Sequence, residues 1–158
     1  MDLSITGLSQ PPGGEVDDRP APTLHVLGGP ATEAAIVLIV EDDGHCRLGL
    51  KRQLQRAGLQ VCEAANGLEA LHVLNRRHVD VLATDIRMPT MSGTALVEAL
   101  AKDRPDLPVI AYTGALLADP AIHARLAARH VPLLVKPFPP EALIAAVREA
   151  LARRVKES

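Results

Sequence analysis

From Ile36 onward, short aliphatic runs alternate with segments of helical period five times over, and that rhythm admits few folds. IVLIV (Ile36–Val40) is an unbroken β-branched run, as a strand buried on both faces requires. Cys46, Leu50, Leu54 and Ala57 follow at helical spacing, closed by Gly58 where a C-terminal cap belongs. Gln60–Ala64 is a short strand, and Asn66-Gly67 turns into a helix carrying Leu68, Leu71 and Leu74. VDVLATD (Val79–Asp85) is a third strand that ends in a carboxylate, followed by a helix over Thr94–Arg104 that Pro105 and Pro108 break. LPVIAYT (Leu107–Thr113) is the fourth strand. Asp119-Pro120 suits an N-cap with proline at the first helical position, opening a helix to about Arg129. Val131–Lys136 is the fifth strand. The last helix sets Leu143, Ala146, Val147, Ala150 and Leu151 on one stripe, with Arg148, Arg153, Arg154 and Lys156 late, as solvated cations that suit the helix dipole.

Five strands alternating with five helices mean βαβ units and an α/β fold with one parallel sheet covered on both faces. Right-handed crossovers leave a doubly wound, flavodoxin-like sheet of strand order 2-1-3-4-5 as the leading topology. Residues 1–34 read instead as a linker-like or disordered arm, because Pro11-Pro12-Gly13-Gly14, Pro20, Pro22 and Gly28-Gly29-Pro30 leave no room for a periodic apolar face. A short extended piece at Leu24–Leu27 is the one element the arm could hold.

Composition narrows the class. Apolar residues make up 47% of the 158, but aromatics only 1%, so the core must be built from Leu, Val, Ile and Ala. A net charge of -2 with scattered basic residues lacks the footprint of a nucleic-acid binder. The longest apolar stretch, Ala34–Val40, is too short to span a bilayer, and the N-terminus lacks a signal-peptide pattern. Cys46 and Cys62 have neither metal-ligand spacing nor a C-x-x-C arrangement. The expectation is a reduced, cytoplasmic protein with no membrane and no nucleic-acid partner. The six histidines (His25, His45, His72, His78, His123, His130) also lack ligand spacing and are expected at the surface, with His45 near the acidic residues described next.

Ligands of doubly wound folds sit beyond the carboxyl ends of the strands. Glu41, Asp42 and Asp43 follow the first strand here; Asp85 ends the third, Thr113 the fourth, and Lys136-Pro137 the fifth. Each has a plain reading alone: a solvated acidic turn, a turn cap, a strand-end hydrogen bond, a Lys-Pro turn. Parallel strands bring them to one edge as an acidic cup with a hydroxyl and an ammonium. Two carboxylates about 4 Å apart repel by roughly 4 kcal/mol at an effective dielectric near 20, so such a cup holds a proton or a cation. Hard oxygen ligands favour magnesium, and an adjacent lysine and threonine suit a phosphoryl group.

VEDD (Val40–Asp43), TDIRMPTMSG (Thr84–Gly93), AYTG (Ala111–Gly114) and VKPF (Val135–Phe138), in that order at successive strand ends, closely resemble the receiver domain of bacterial response regulators. The resemblance covers about Ile36 to Val155, giving a receiver domain over 35–155. It implies that Asp85 is the phosphoacceptor and that Mg2+ is bound by Asp42, by Glu41 directly or through a water, by Asp85 and by the backbone carbonyl of Arg87. It further implies that Lys136 pairs with Asp85 before transfer and with the phosphoryl group afterward, that Thr113 donates its hydroxyl to that group, and that the Lys136-Pro137 bond is cis. The donor would be a sensor histidine kinase or a histidine phosphotransfer protein. The protein would be a switch rather than an enzyme, signalling to a protein target through the face of the last helix, strand 5 and helix 4. No stretch after about Val155 is expected to supply an output domain, whether the chain stands alone or derives from a hybrid kinase.

The sequence departs from that family in one informative place. Many receivers carry Tyr or Phe three residues before the lysine, and here Leu133 stands there, which excludes an aromatic rotamer readout and predicts weak coupling or backbone movement alone. Arg87 and Ala115, two residues after the acceptor and the threonine, sit where the family tunes hydrolysis. An Asp-x-Asp hydrolase would need a second aspartate at the position of Arg87, a small-molecule phosphatase would need a substrate pocket and turnover, and a non-phosphorylatable receiver-like module would have lost Asp85 or Lys136.

Overall fold

The computed structural model describes the backbone of residues 34–114 and 119–157 and their side chains up to residue 154. The expected arm, the piece at Leu24–Leu27, His25 and Ala115 lie outside the described residues. Strands β1 (Ile36–Val40), β2 (Gln60–Ala64), β3 (Val81–Asp85), β4 (Val109–Thr113) and β5 (Leu133–Val135) alternate with helices α1 (Gly44–Arg56), α2 (Gly67–Arg76), α3 (Gly93–Asp103), α4 (Pro120–Ala128) and α5 (Pro140–Glu157). All pairings are parallel and the sheet order is β2-β1-β3-β4-β5, as the alternation predicts.

Side chains alternate between the sheet's faces with a period of two. Val37, Ile39, Val81, Ala83, Ile110 and Tyr112 point to the face covered by α1 and α5, where Leu50, Leu54, Leu143, Val147 and Ala150 complete the core. Leu38, Val40 and Leu82 point the other way, onto Ala70 and Leu74 of α2 and Leu96 and Leu100 of α3. Ile86, Ala111 and Leu126 close that side near α4, with Leu133 packed against them. No helix among the described residues is long and apolar enough to cross a membrane.

Local chemistry sets the helix ends. Asp43, Asn66, Ser92 and Asp119 are the N-caps of the first four helices, each accepting from backbone N–H groups of the first turn. Gly58 (φ 88°) ends α1, with Gly58 N–H donating to Gln55 and Leu59 N–H to Leu54, a Schellman closure.

Three strands are shorter than the sequence predicts. β3 begins at Val81, just after Asp80, whose side chain rather than a backbone carbonyl accepts from the Ile36 N–H at 2.8 Å. Pro108 and Pro132 have no N–H to give, so β4 and β5 start just beyond them. At the far end, Lys136 leaves β5 through a cis bond to Pro137, as expected. Arg154 is no merely solvated helix end: it donates to the Asp80 carboxylate at 3.2 Å and to the Asp80 carbonyl at 3.1 Å, tying α5 to β3. Arg153, by contrast, pairs among the described residues with Glu149 on its own helix. The five described histidines are exposed, as expected.

Candidate functional site

The register of the sheet decides which strand-end residues share a level. Val40 pairs with Thr84 and Asp85 pairs with Tyr112, so Glu41 comes level with Asp85, and Asp42 one step beyond. Thr113 pairs with Val135, which places Lys136 just past it. One oxygen from each of Glu41, Asp42 and Asp85 lies within 4.8 Å of the others. Asp42 is exposed, while Glu41 (1% exposed) and Asp85 (7%) are buried, so a charge at this edge meets water on one side and protein on the other.

Lys136 reaches across the cup. Its Nζ donates to Glu41 Oε1 at 2.6 Å and to Asp85 Oδ2 at 3.3 Å. The expected pairing with Asp85 is therefore present but longer, and Glu41 is the nearer partner. Burial disfavours the ammonium, yet the bonds to Glu41 and the charges of Glu41 and Asp85 outweigh it and hold Lys136 well above its ordinary range. Glu41 is raised too, chiefly by burial and then by the Asp85 charge, against the lowering effect of Lys136.

The other expected residues fall at the same edge. Asp85 Oδ1 accepts from the Arg87 N–H at 3.0 Å, so the loop after β3 folds back over its own carboxylate. Gly93 then closes on that loop, its N–H donating to the Ile86 carbonyl at 2.9 Å. Thr113 is fully buried at the end of β4, and its carbonyl accepts from the Lys136 N–H at 2.7 Å. His45 lies in the first turn of α1, its N–H given to Asp43 Oδ1 at 2.9 Å.

Glu41 Oε2 is buried and has no hydrogen-bond partner among the described residues. An ionised oxygen in that state is costly unless something positive meets it. The donor set beside it is three carboxylates, with the Arg87 carbonyl on the adjoining loop; hard oxygens of this kind suit magnesium, and the residues fit that ion.

Three contributors escaped the sequence reading. Arg47 donates to the Glu41 carbonyl at 2.7 Å, bracing the acidic turn from α1. The Cys46 thiol borders Glu41 and Lys136 and is pushed up by burial and by Glu41, which keeps it protonated. Tyr112 lies beneath Lys136, its ring centroid 5.0 Å from Nζ. Alternation alone marks Tyr112, since residues 83, 85, 110 and 112 share one sheet face; Arg47 and Cys46 carry no signal short of the folded α1.

The family model described as response regulator receiver domain matches residues 37–148. Sensor kinase CckA of Brucella abortus (strain 2308) is 35% identical over 144 residues, which is 87% of this chain and 15% of that protein. The DNA-binding transcriptional regulator NtrC of Escherichia coli (strain K12) is 38% identical over 120 residues, 76% of this chain and 25% of that protein. The chain thus spans a quarter or less of the length of these two relatives. Among solved structures, a CheY-like response regulator receiver domain protein from Methanospirillum hungatei JF-1 superposes with a TM-score of 0.74 at 28% identity, covering 80% of this chain and all of that one. The chemotaxis protein CheY4 of Vibrio cholerae gives 0.68 at 32% identity, covering 75% of this chain and 100% of that one.

Proposed function

The chain belongs to the response regulator receiver domain family of two-component systems, and from there we propose that it is a phosphoacceptor switch in which Asp85 takes a phosphoryl group from a phosphohistidine. The observation that carries this reading is the convergence of Glu41, Asp42 and Asp85 with Lys136 across them, drawn from strand ends as far as 95 residues apart.

Asp42, Asp85, Glu41 and the Arg87 carbonyl would hold magnesium. Bound there, the ion supplies positive charge against the carboxylates and the transferring phosphoryl oxygens. The chain's own groups do the rest. An Asp85 carboxylate oxygen bonds to phosphorus as the phosphorus–nitrogen bond of the donor histidine breaks in line, leaving an acyl phosphate. Lys136 passes from Asp85 to a phosphoryl oxygen, giving up one anionic partner for another at little cost in position. Thr113 donates its hydroxyl to a second phosphoryl oxygen. Hydrolysis of the acyl phosphate returns the carboxylate, so the domain acts once per donor encounter, as a switch and not as an enzyme with turnover.

The donor is a sensor histidine kinase or a histidine phosphotransfer protein in the cytoplasm. The output is contact with a protein target through α4, β5 and α5, with Val135 exposed on that strand. Among the relatives, one is a sensor kinase and another a transcriptional regulator, which supports both a regulator and a hybrid-kinase origin for the receiver over 35–155.

Incubation with acetyl phosphate and magnesium, followed by intact mass, tests the reading. Wild type should gain one phosphoryl group and Asp85→Asn none. Equal labelling of both, or labelling that survives chelation of magnesium, would sink it.

A further inference from the structure

The chain holds one tyrosine, one phenylalanine and no tryptophan, and both rings stand at this site. Tyr112 is fully buried and is the register partner of Asp85 on the same face of the sheet. Its hydroxyl donates to the Val40 carbonyl at 3.2 Å, one residue before Glu41. Phe138 meets it edge to face, with centroids 6.0 Å apart and planes at 64°. The ring face looks at the Lys136 ammonium from 5.0 Å.

We propose that Tyr112 is the positioning residue that sets Lys136 over the acidic cup, its ring face fixing the ammonium between Glu41 and Asp85. This rests on the reading of Asp85 as phosphoacceptor. Lysine is a point charge on a flexible four-carbon stem, and two carboxylates alone give it a direction but no floor. The electron-rich ring face supplies the floor and attracts the cation. The ring itself cannot drift, since its hydroxyl is tied to β1 and its flank to Phe138 at the entry to α5. Three segments that carry the site, the ends of β1 and β4 and the turn after β5, therefore meet on one side chain.

This ring is not the missing switch aromatic in another place. Leu133 packs on the opposite face with Ile86, Ala111 and Leu126. Tyr112 lies on the α1 and α5 face with every route to solvent closed. A plain core residue at 112 would need only volume, which leucine supplies. A positioning residue needs the ring face, which phenylalanine keeps and leucine does not.

The test compares wild type, Tyr112→Phe and Tyr112→Leu at saturating magnesium, with acetyl phosphate as donor and thermal melting as the control for folding. Tyr112→Leu should slow phosphorylation about tenfold, and Tyr112→Phe, which loses only the tie to Val40, about threefold. The second readout is the NMR shift of the Lys136 ε-methylene protons, moved upfield by the ring in wild type and Tyr112→Phe and returned to the ordinary lysine position in Tyr112→Leu. A folded Tyr112→Leu protein that phosphorylates at the wild-type rate overturns the proposal. So does an ordinary Lys136 shift in wild type, which decides the matter even where the leucine variant fails to fold. A wild type that shows the upfield shift yet takes no phosphoryl group overturns the reading of Asp85 and leaves the placement of Lys136 by Tyr112 standing.

Discussion

The Lys136 ammonium stands closer to Glu41 than to Asp85, 2.6 Å against 3.3 Å, although Asp85 is the group it is expected to serve. Glu41 thus has two tasks: one oxygen parks the ammonium, and the carboxylate also stands with Asp42 and Asp85, its second oxygen buried and without a partner among the described residues. Glu41→Gln keeps the shape and removes the charge. The expected result is a magnesium affinity lower by about tenfold or more, read by isothermal titration calorimetry. An unchanged affinity would remove Glu41 from the cation site and leave its buried oxygen without an explanation.

Gly93 is required by space. A Cβ there would run into the Asp85 carbonyl oxygen and come within 2.8 Å of the Ile86 Cα, and both obstacles are backbone. Gly93→Ala should cost about 1–3 kcal/mol, because overpacking against backbone has no side chain to yield. It should also slow phosphorylation, since the atom displaced belongs to Asp85 itself. Gly49 is the contrast: it lies inside α1 with nothing within 4 Å of an added Cβ, so Gly49→Ala should stabilise by about 0.5–1 kcal/mol. Urea midpoints of the two variants moving the same way would refute this account.

His130 ends α4 as Gly58 ends α1. Its N–H donates to the Ala127 carbonyl and the next N–H, from Val131, to Leu126. The backbone is left-handed (φ 56°), where an L side chain is crowded and glycine is not. His130→Gly should therefore raise stability by about 1 kcal/mol, seen as a higher melting temperature with phosphorylation unchanged. A lower melting temperature would mean that the imidazole makes a contact worth more than the strain.

Sheet order and the strand-end residues were legible because both are written in single segments. IVLIV must be buried on both faces, and a carboxylate at the end of such a run has only one edge to occupy. What the sequence hid depends on pairs far apart. Nothing near Tyr112 says that its hydroxyl will meet Val40, 72 residues earlier, or that its ring will lie under Lys136. The preference of Lys136 for Glu41 over Asp85 is a difference of less than an ångström, set by how β1 and β5 flank β3 and β4. Arg154 reads as one of several late helix cations, and only the packing of α5 over β3 singles it out from Arg153.

Asp80 draws that last tie and the start of β1 together. Its carboxylate accepts from the Ile36 N–H at 2.8 Å, from His78 Nε2 at 2.8 Å and from Arg154 at 3.2 Å. Partial burial acts to raise its pKa, but the Ile36 N–H, His78 and Arg154 together bring it below the ordinary 3.8. A carboxylate lowered in the fold adds stability above its unfolded value, about 3.9, and loses it as the pH falls through the folded value. Asp80→Asn keeps an oxygen for Ile36 but removes the charge and sets an amide NH2 where the oxygen facing His78 and Arg154 stood. The variant should therefore be weaker than wild type by about 1–2 kcal/mol at pH 7 and at pH 5, with the gap closing below about pH 4. Urea midpoints at pH 7, 5 and 3 give the comparison. A gap that persists undiminished at pH 3 would show that the hydrogen-bond geometry rather than the charge holds this corner, because below about pH 4 the unfolded wild-type chain takes up the proton that the folded carboxylate resists.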